Sequence, residues 1–394
     1  MKISYLIKYF YPIKGGAENY LMNLALRAAE DGHEVHVFTG DRKGKEKLSP
    51  LECEYKGMKI HRCKFWINFS NYLFFNPSLF FKLMKQDSDV VHVSGFGFIW
   101  HDFVLILKKL TSKRTKFINS PHGPFMPLGS YGLLKKVLKS IYTPIQNLFL
   151  NWLYDTVTES NTYQWQWIAR YGIDRQKIKL VTPGIDEEMI DKHIPEEDIL
   201  RFRQKYDLSD KFVISYLGRI SEYKGVQHII NILPDIVLKH PDLVLLIMGR
   251  DEGYVRSLKS MAEKLKVRRN IRFIIDITEE EKYIGLSVSQ IIIFPSEWEA
   301  FGIVLLEAMT CGNAIVSTKT EGGNYLVTDS VNGYKYDFGD KDKLEKILEE
   351  LLENKDMTKR MQNENKKRVR IFSWDEIYRN SYKMILDSIF KASN

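Results

Sequence analysis

Residues 295–312 of the chain read PSEWEAFGIVLLEAMTCG, and the apolar run 291–294 precedes them. The run has the length and composition of a buried strand, while 303–310 is apolar and free of glycine and proline, as the interior of a helix is. Gly312 stands where a helix is expected to end. The segment therefore predicts a strand, a loop and a helix in succession, which is the repeating unit of an α/β domain.

Two carboxylates eight positions apart belong to this segment. Glu299 falls in the loop before the predicted helix, and Glu307 falls about one turn inside it, with Gly302 between them. Glutamates fixed around a helix N-terminus, with a glycine that lets the backbone come close, suit a ligand that carries both hydroxyls and phosphates. A plain helix with one solvated glutamate is the competing interpretation, and this segment alone favours neither.

The 394 residues exceed what one hydrophobic core supports, so the length predicts two domains. No apolar run approaches the roughly 18–20 residues that cross a bilayer. The first residues follow a strand pattern rather than that of a signal peptide. The three cysteines, Cys53, Cys63 and Cys311, show no metal-binding spacing. Together these features predict a cytoplasmic protein.

The net charge of +8 predicts an anionic partner and leaves a nucleotide, a nucleic acid and a membrane surface open. The excess is uneven, because residues 101–150 hold eight Lys or Arg against Asp102 alone, which gives +7. Within this span, 129–150 has apolar residues on one helical side and lysines on the other, and the aromatic stretch 65–75 could supplement it. The pattern fits a helix that contacts an anionic membrane and, equally, an ordinary packed helix.

The N-terminal half alternates strands and helices. Strand 2–7, helix 17–30 and strand 34–39 form a unit that crosses over with the right hand in a parallel sheet. Gly15 and Gly16 stand immediately before the helix, where backbone N–H groups can face an anion. A plain glycine turn is the alternative, and the lack of GxGxxG argues against a nicotinamide cofactor.

His122 is a candidate site residue of this half. It stands between Pro121 and Gly123, just beyond the predicted strand 116–120. Ligands of open parallel sheets bind at the carboxyl ends of the strands. A structural histidine is the alternative interpretation.

The second half restarts the alternation after an acidic stretch, 187–198, that shows no pattern and near which we place the domain boundary. The predicted strands are 212–217, 243–248, 271–275, 291–294 and 314–318, with helices beginning near 225, 254 and 279. This order predicts a second doubly wound sheet.

Cations follow the first strand of the second half. Arg219, after Gly218, offers a planar fork and Lys224, before Gly225, a point charge, which together suit a diphosphate. A diglycine, 322–323, follows strand 314–318. Each loop alone has ordinary explanations, but their joint position at the carboxyl ends of strands points to one anion site.

Together these motifs resemble the retaining GT-B glycosyltransferases of family 4, which use nucleotide-sugar donors. The most specific signal is the E-x7-E spacing with EAFG inside it. The matching motifs span the chain: GGAE at 15–18, HG at 122–123, PGID at 183–186, GR at 218–219, KG at 224–225, EAFG at 299–302, GG at 322–323 and FSW at 372–374.

The resemblance implies an α/β fold of two Rossmann-like, doubly wound parallel-sheet domains that face each other across a cleft. It implies an N-terminal acceptor-binding domain over 1–185 and a C-terminal nucleotide-sugar-binding domain over 186–372. A last helix, 373–394, is expected to cross back to the N-terminal domain.

The resemblance also implies roles for residues. Arg219 and Lys224 are expected to bind the donor diphosphate, Glu299 to accept hydrogen bonds from sugar hydroxyls, and Glu307 to bind the ribose. His122 is expected near the reacting carbon, so that the catalytic set comprises His122, Glu299, Arg219 and Lys224. The other donor contacts assigned are Gly16, Phe301, Gly302, Ile303 and Val304, and the acceptor contacts are Gly15, Gly16 and Glu18.

The implied reaction moves a hexose-type sugar from a UDP- or GDP-sugar to a glycan or lipid-linked acceptor with retention, as in polysaccharide or glycolipid synthesis. Positioned cations and helix N-terminal amides can stabilise a leaving diphosphate, so neither a metal nor another cofactor is predicted. A peripheral position at the inner face of a membrane is expected if the basic helix contacts lipid.

Alternatives remain open. A sugar-nucleotide epimerase shares the implied fold, and the pI of about 9.0 prompts a nucleic-acid-binding protein. The second alternative is disfavoured, because Arg219 and Lys224 fall in loops at strand ends rather than among exposed aromatics. GRDEGY at 249–254 departs from the glycine-rich sequence of many relatives, which leaves the nucleotide base open.

Overall fold

The structure is a computed structural model that describes residues 1–13, 15–44, 46–68, 74–122 and 133–393. The chain forms two compact units. One comprises Met1–Pro183 and Trp374–Asn394, and the other Gly184–Ser373. Each unit is built on a parallel sheet whose strands alternate with helices, which confirms the predicted α/β class.

Eight strands of the first unit form one mostly parallel sheet. The strands of this unit are β1 (Lys2–Leu6), β2 (Glu34–Gly40), β3 (Arg42–Lys43), β4 (Glu46–Lys47), β5 (Glu52–Tyr55), β6 (Met58–Cys63), β7 (Ile67–Asn68), β8 (Phe74–Phe75), β9 (Val90–Ser94), β10 (Lys116–Ser120), β11 (Thr156–Glu159) and β12 (Ile178–Leu180). The sheet order is β12-β11-β10-β9-β1-β2-β6-β5, with only β5 antiparallel to its neighbour. Strands β1 and β9 flank the point where the order reverses, which is where open α/β sheets bind ligands.

The helices of the first unit pack against this sheet. Up to the boundary at Pro183 they are α1 (Gly16–Glu30), α2 (Pro77–Lys85), α3 (Ile99–Thr111), α4 (Leu133–Leu153) and α5 (Trp165–Ala169). The stripe predicted for α1 is buried, with Leu21, Leu24, Ala25 and Ala28 all at 0% exposure. Burial of this stripe stabilises the folded state by about 25 cal/mol for each Å² of apolar surface that is removed from water.

The last segment of the chain belongs to the first unit. The ring of Trp374 lies 5.7 Å from that of Tyr20 in α1, and Asp375 accepts from Arg27 at 2.5 Å. A π-helical turn, Tyr378–Tyr382, brings the hydroxyl of Tyr382 to 2.7 Å from Nδ1 of His92 in the middle of β9. The segment is therefore joined to the sheet by a buried polar contact as well as by apolar packing.

The sheet of the second unit has six parallel strands. They are β13 (Phe212–Leu217), β14 (Leu243–Gly249), β15 (Ile271–Ile275), β16 (Ile291–Phe294), β17 (Ala314–Thr318) and β18 (Gly333–Tyr336). Their order is β15-β14-β13-β16-β17-β18. The chain moves outward from β13 to β15, returns, and continues from β16 on the other side of β13. The order thus reverses between β13 and β16, whose carboxyl ends form the switch point of this unit.

Helices connect these parallel strands. They are α6 (Glu187–Ile190), α7 (Glu196–Lys205), α8 (Val226–Lys239), α9 (Val255–Lys264), α10 (Glu279–Ser287), α11 (Ile303–Cys311), α12 (Glu321–Leu326), α13 (Lys341–Glu353) and α14 (Lys355–Arg368), and the last segment of the first unit adds α15 (Trp374–Ile377) and α16 (Lys383–Ser393). Helix α11 ends at Gly312, which adopts a left-handed conformation with φ +75°. The predicted helix stop is confirmed.

One prediction about the pattern is wrong. The stretch 187–198, interpreted as unpatterned, contains α6 and the start of α7. Pro195 precedes α7, and acids at 196–198 lie in its first turn. Acidic side chains favour the positive end of the helix dipole, so these residues were helix-start signals. Phe202 attaches α7 to the core with 4% exposure.

Parts of other predictions lie outside the described residues. They include Gly123 of the HG motif, residues 129–132 before α4 and 69–73 of the aromatic stretch, and the side chains of 133–136, 138 and 139. A search of the described ranges finds no helix with both the length and the hydropathy that a membrane crossing requires.

Candidate active site

The loops that follow β13 and β16 meet at the switch point of the second unit. The backbone N–H of Glu297 donates to the carbonyl of Tyr223 at 2.8 Å. Gly225 adopts φ +72°, and a Cβ there would lie 2.0 Å from the carbonyl oxygen of Pro295. Only glycine fits this approach of two backbones, so Gly225 fixes the spacing between the loops.

This contact brings Lys224 and Glu299 together, although 75 positions separate them. Nζ of Lys224 lies 2.5 Å from Oε2 of Glu299, and the two side chains are 8% and 23% exposed. The ammonium also lies 5.1 Å from the ring centre of Tyr223 and 5.7 Å from that of Phe294. A mostly buried ion pair over aromatic faces is rigid, and loss of either partner leaves the other charge uncompensated.

Arg219 lies in the same loop but is more exposed, at 58% of its side chain. Its Nη1 donates to Glu252 at 3.1 Å, and its Nη2 donates to the hydroxyl of Tyr223. The carbonyl of Arg219 accepts from the hydroxyl of Tyr216 at 2.6 Å. The guanidinium is therefore held beside the strand ends while much of its surface stays open to a ligand.

The unusual sequence at 249–254 has a structural role. Oδ1 of Asp251 accepts from the backbone N–H groups of Gly253, Tyr254 and Val255 at 2.8, 2.9 and 3.2 Å. These bonds, that from Val255 above all, lower the pKa of Asp251. The carboxylate closes the start of α9, as an N-cap side chain does. Backbone bonds between Ile220 and residues 250 and 252 join this loop to the one that carries Arg219.

The N-terminus of α11 faces the same edge. Gly302 precedes it with φ +81° and gives no side-chain cap. The first N–H groups of a helix have no partner within the helix, so those of Ile303 and Val304 are donors for a ligand. The predicted diglycine 322–323 lies in the first turn of α12 rather than in a loop. A Cβ at Gly322 would lie 2.0 Å from the carbonyl oxygen of Phe301, so this glycine lets α12 pack against the segment before α11.

Glu307 has a partner that the sequence did not indicate. Nζ of Lys282 in α10 donates to Glu307 at 2.8 Å and to Glu279 at 2.6 Å. Burial raises the pKa of Glu307, and the charge of Lys282 opposes that rise. The carboxylate is 15% exposed. It is the second paired carboxylate after Glu299, and it lies on α11 one turn deeper than the helix start.

The candidate residues of the first unit lie at the start of α1. Gly15 is extended, and a Cβ there would lie 2.2 Å from Oε2 of Glu18, so this side chain folds back over the turn. Burial raises the pKa of Glu18, while its own backbone N–H and the charge of Lys43 oppose the rise. A Cβ at Gly16 would meet no atom of the described residues within 4 Å. None of the described side chains therefore fills the space above Gly16.

His122 follows β10 in the left-handed region, with φ +50°. Its ring meets the edge of Tyr20, with ring centres 4.7 Å apart. Burial lowers the pKa of His122 to about 4, so the imidazole is neutral at neutral pH. Tyr20 in turn donates to the carbonyl of Val181 at 3.1 Å, and this contact holds the ring that supports His122.

Sequence reasoning missed several residues that shape these sites. Tyr223 contacts both Arg219 and Lys224, and its position directly before Lys224 was a usable signal. Lys282 gave none, because its partner lies in another helix. Within the described ranges, Oγ of Ser296 and Nε1 of Trp298 are buried and have no hydrogen-bond partner, and both lie shortly before Glu299 in sequence.

Comparison with known proteins gives this arrangement a family. The family model described as Glycosyl transferases group 1 matches residues 198–368, and that described as Glycosyltransferase Family 4 matches 14–189. The chain is 23% identical over 392 residues to the phosphatidylinositol N-acetylglucosaminyltransferase gpi3 subunit of Schizosaccharomyces pombe. The aligned region covers 98% of this chain and 80% of that protein.

Solved structures show the same fold. Sucrose-phosphate synthase from Thermosynechococcus elongatus superposes with a TM-score of 0.77 at 18% identity and 99% coverage of both chains. Alr3699/HepE of Anabaena, in complex with UDP and glucose, gives 0.74 at 20% identity, with 98% of this chain and 100% of that chain covered. With both units matched in sequence and the whole chain matched in fold, the chain belongs to the group 1, family 4 glycosyltransferases and has the GT-B fold.

Proposed function

We propose that this glycosyltransferase moves a hexose-type sugar from a UDP- or GDP-sugar to a glycan or lipid-linked acceptor, with retention and without a metal. The observation that carries the proposal is the Lys224–Glu299 pair at the switch point between β13 and β16. A cation and a carboxylate held 2.5 Å apart offer one group to phosphates and one to hydroxyls. A nucleotide sugar carries both groups on neighbouring atoms.

The proposed roles follow from charge. When the bond between sugar and diphosphate breaks, negative charge grows on the leaving phosphate. Lys224, Arg219 and the N-terminal amides of α11 supply fixed positive potential for it, which is why we propose no metal. Backbone N–H groups over Phe301, Gly302, Ile303 and Val304 complete this diphosphate site.

The two carboxylates, Glu299 and Glu307, are proposed to bind different parts of the donor. Glu299 lies in the loop and is proposed to accept hydrogen bonds from sugar hydroxyls, while Glu307, deeper on α11, is proposed to bind the ribose. In the first unit we assign the approach to the phosphates to Gly16 and a position near the reacting carbon to His122. A neutral imidazole at that position adds no charge that would compete with the cations for the phosphates.

The relatives support two details of substrate choice. Anabaena HepE was solved with UDP, which favours the UDP arm of the proposal. The relative from Schizosaccharomyces pombe is named for phosphatidylinositol, which favours a lipid-linked acceptor. Gly15, Gly16 and Glu18 at the start of α1 are proposed as acceptor contacts.

A thermal-shift panel tests the donor site. UDP, GDP, ADP and their glucose or mannose conjugates are added to the wild type, and one base series is expected to raise the melting temperature. A ligand at about 100 times its Kd stabilises the folded state by about 2.7 kcal/mol, which is a shift of several degrees for a unit of this size. The Lys224→Ala variant should lose the shift.

The matched control is Lys239→Ala, another lysine of the second unit, which is 59% exposed and paired with Glu349. It should keep the full shift. If no nucleotide diphosphate or nucleotide sugar shifts the wild type, the proposed donor site is wrong. Release of free nucleotide and epimerised sugar without an acceptor would instead identify the epimerase alternative.

A further inference from the structure

Helix α4 exposes an apolar stripe to solvent. Its members are Val137 (48% exposed), Ile141 (61%), Ile145 (48%), Leu148 (85%) and Trp152 (48%). At 3.6 residues per turn, these positions fall within an arc of about 80° and extend over about 22 Å of the helix. A soluble helix normally turns such a stripe toward a core, and here the described core lies elsewhere.

Helix α3 exposes apolar side chains as well. Ile99, Phe103 and Leu110 are 38%, 50% and 62% exposed, and they share one face within an arc of about 40°. Exposed apolar side chains thus occur on two neighbouring helices, and contiguous patches of this kind mark interaction sites.

A buried contact holds the two helices together. Oδ2 of Asp102 in α3 accepts from the hydroxyl of Tyr142 at 2.9 Å and from Nε2 of Gln146 at 3.1 Å, both in α4. Asp102 and Gln146 are 4% and 2% exposed. These residues lie to the side of both stripes, so the seam between the helices is closed while the stripes face outward. We call the eight exposed side chains of α3 and α4 the apolar face.

The stretch of sequence that carries the apolar face is rich in cations. Between Phe103 and Tyr154 the sequence contains eight Lys or Arg and no Asp or Glu. Lys108 is used internally, with Nζ 2.8 Å from the carbonyl of Gln86, and Lys109 is paired with Asp155 at 2.8 Å. Lys113 and Arg114, at the end of α3, are exposed. Asn151 of α4 donates to the exposed carboxylate of Asp174 at 2.8 Å, so an acid also lies beside this helix. An apolar face in a segment where cations outnumber acids is complementary to a surface that is apolar inside and anionic outside.

We propose that the apolar face docks on an anionic phospholipid bilayer, with α4 lying in the plane of the interface. Side chains of the stripe enter the boundary between headgroups and acyl chains, and the cations at its border contact lipid phosphates. A second copy of this chain fits less well, because it would bring together two surfaces from a segment in which cations outnumber acids. The inference rests on the proposed function only in that a lipid-linked acceptor would then be met at the surface that holds it.

Vesicle co-sedimentation of the full chain tests the docking. Vesicles of phosphatidylcholine with about one third phosphatidylglycerol are compared with pure phosphatidylcholine, at low and high salt. We expect binding to the anionic vesicles that weakens with salt, since surface charges are screened. The double variant Ile141→Asp, Leu148→Asp should bind at least about tenfold more weakly, because it places charge in the apolar face. The double variant Lys113→Glu, Arg114→Glu should weaken binding to anionic vesicles only.

The matched control is Leu238→Asp, since Leu238 is 81% exposed on α8 of the second unit. It should bind vesicles as the wild type does. Absence of wild-type binding to anionic vesicles would overturn the proposal, as would equal losses in the control. A dimer in solution that the Ile141→Asp, Leu148→Asp variant turns into a monomer would identify a second copy as the occupant. All variants should keep the nucleotide-induced thermal shift, so that failure of docking is told apart from failure of the donor site.

Discussion

The switch points of the two units of this enzyme are formed by different kinds of residue. In the second unit the site consists of paired charges, Lys224 with Glu299 and Lys282 with Glu307. In the first unit the described candidates are the backbone at Gly15 and Gly16, the single carboxylate of Glu18 and a histidine that burial keeps neutral. The same strand topology thus carries two ion pairs in one unit, and a glycine turn, one carboxylate and a neutral ring in the other. Under the proposed function, this difference would let one unit hold an anionic donor while the other admits an acceptor.

Removal of a charge in the second unit should have the largest effect on activity. Lys224→Ala and Glu299→Gln are each expected to lower transfer about ten- to a hundredfold, because a charge-assisted contact contributes about 1.5–3 kcal/mol. The measurement is the steady-state rate of sugar transfer with donor and acceptor both saturating. Circular dichroism checks that the variants fold, and Lys239→Ala again serves as the control. Wild-type turnover in both variants would contradict the site assignment.

Replacing one glycine in each unit by alanine should change the free energy of unfolding by different amounts. Gly225→Ala forces a left-handed backbone on alanine and a contact with Pro295, so its free energy of unfolding should fall by about 1–3 kcal/mol or more. In the part of the chain that the structure describes, the Cβ of Gly16→Ala meets nothing within 4 Å at a helix start, so stability should change by less than about 1 kcal/mol. Urea unfolding measures both. Equal losses would show that Gly16 is a packing residue and not a ligand contact.

The buried carboxylate of the first unit should respond to pH in an unusual direction. Burial raises the pKa of Asp102 to about 7, against the hydrogen bonds from Tyr142 and Gln146, which lower it. The folded state then binds a proton that the unfolded state has lost, so stability contributed by Asp102 is present below about pH 4 and is lost as pH rises to about 7.

Asp102→Asn removes this titration. We expect the variant to be more stable than the wild type at pH 8 by roughly 2 kcal/mol. Each unit by which the pKa of Asp102 is raised costs the wild type about 1.4 kcal/mol at this pH, and the extra N–H donor of asparagine offsets part of the gain from removing that cost. Near pH 4 the advantage should disappear. Parallel pH profiles of the two proteins would show that Asp102 does not titrate in this range.

The smallest effect is expected at a cap. Oγ1 of Thr320 accepts from the N–H of Gly323 at 3.0 Å and closes the start of α12. Thr320→Ala should lower the free energy of unfolding by about 1 kcal/mol without changing turnover. By contrast, α1 and α11 have no side-chain cap at their first turns. A loss of turnover in Thr320→Ala would mean that α12 belongs to the site.

The strands of the second unit were predictable because parallel strands buried on both faces are continuous apolar runs. Strands 212–217, 271–275 and 291–294 begin and end as predicted. The order of the strands was not predictable, since local pattern does not say which strands pair. For the same reason the sequence offered Lys224 and Glu299 as separate candidates, and only the β13–β16 neighbourhood places them in contact. The Lys282–Glu307 pair depends on the packing of α10 against α11, which no local signal encodes.

The antiparallel β5–β6 hairpin and the helices within 187–205 were missed for different reasons. The hairpin alternates exposed and buried residues over only four to six positions, too few to stand out from loop composition. The helices carried recognisable start signals, but their acidic composition had been interpreted as that of a linker. Charge at a helix start is evidence for the helix, not against it.

The return of the last segment to the first unit makes that unit depend on residues that lie far apart in the sequence. Trp374, Asp375 and Tyr382 make contacts with Tyr20, Arg27 and His92, more than 280 residues earlier in the chain. A chain that ends at Ser373 contains every residue of the second unit but none of these three partners of the first. Truncation at that point is therefore expected to leave the second unit complete and the packing of the first unit unfinished.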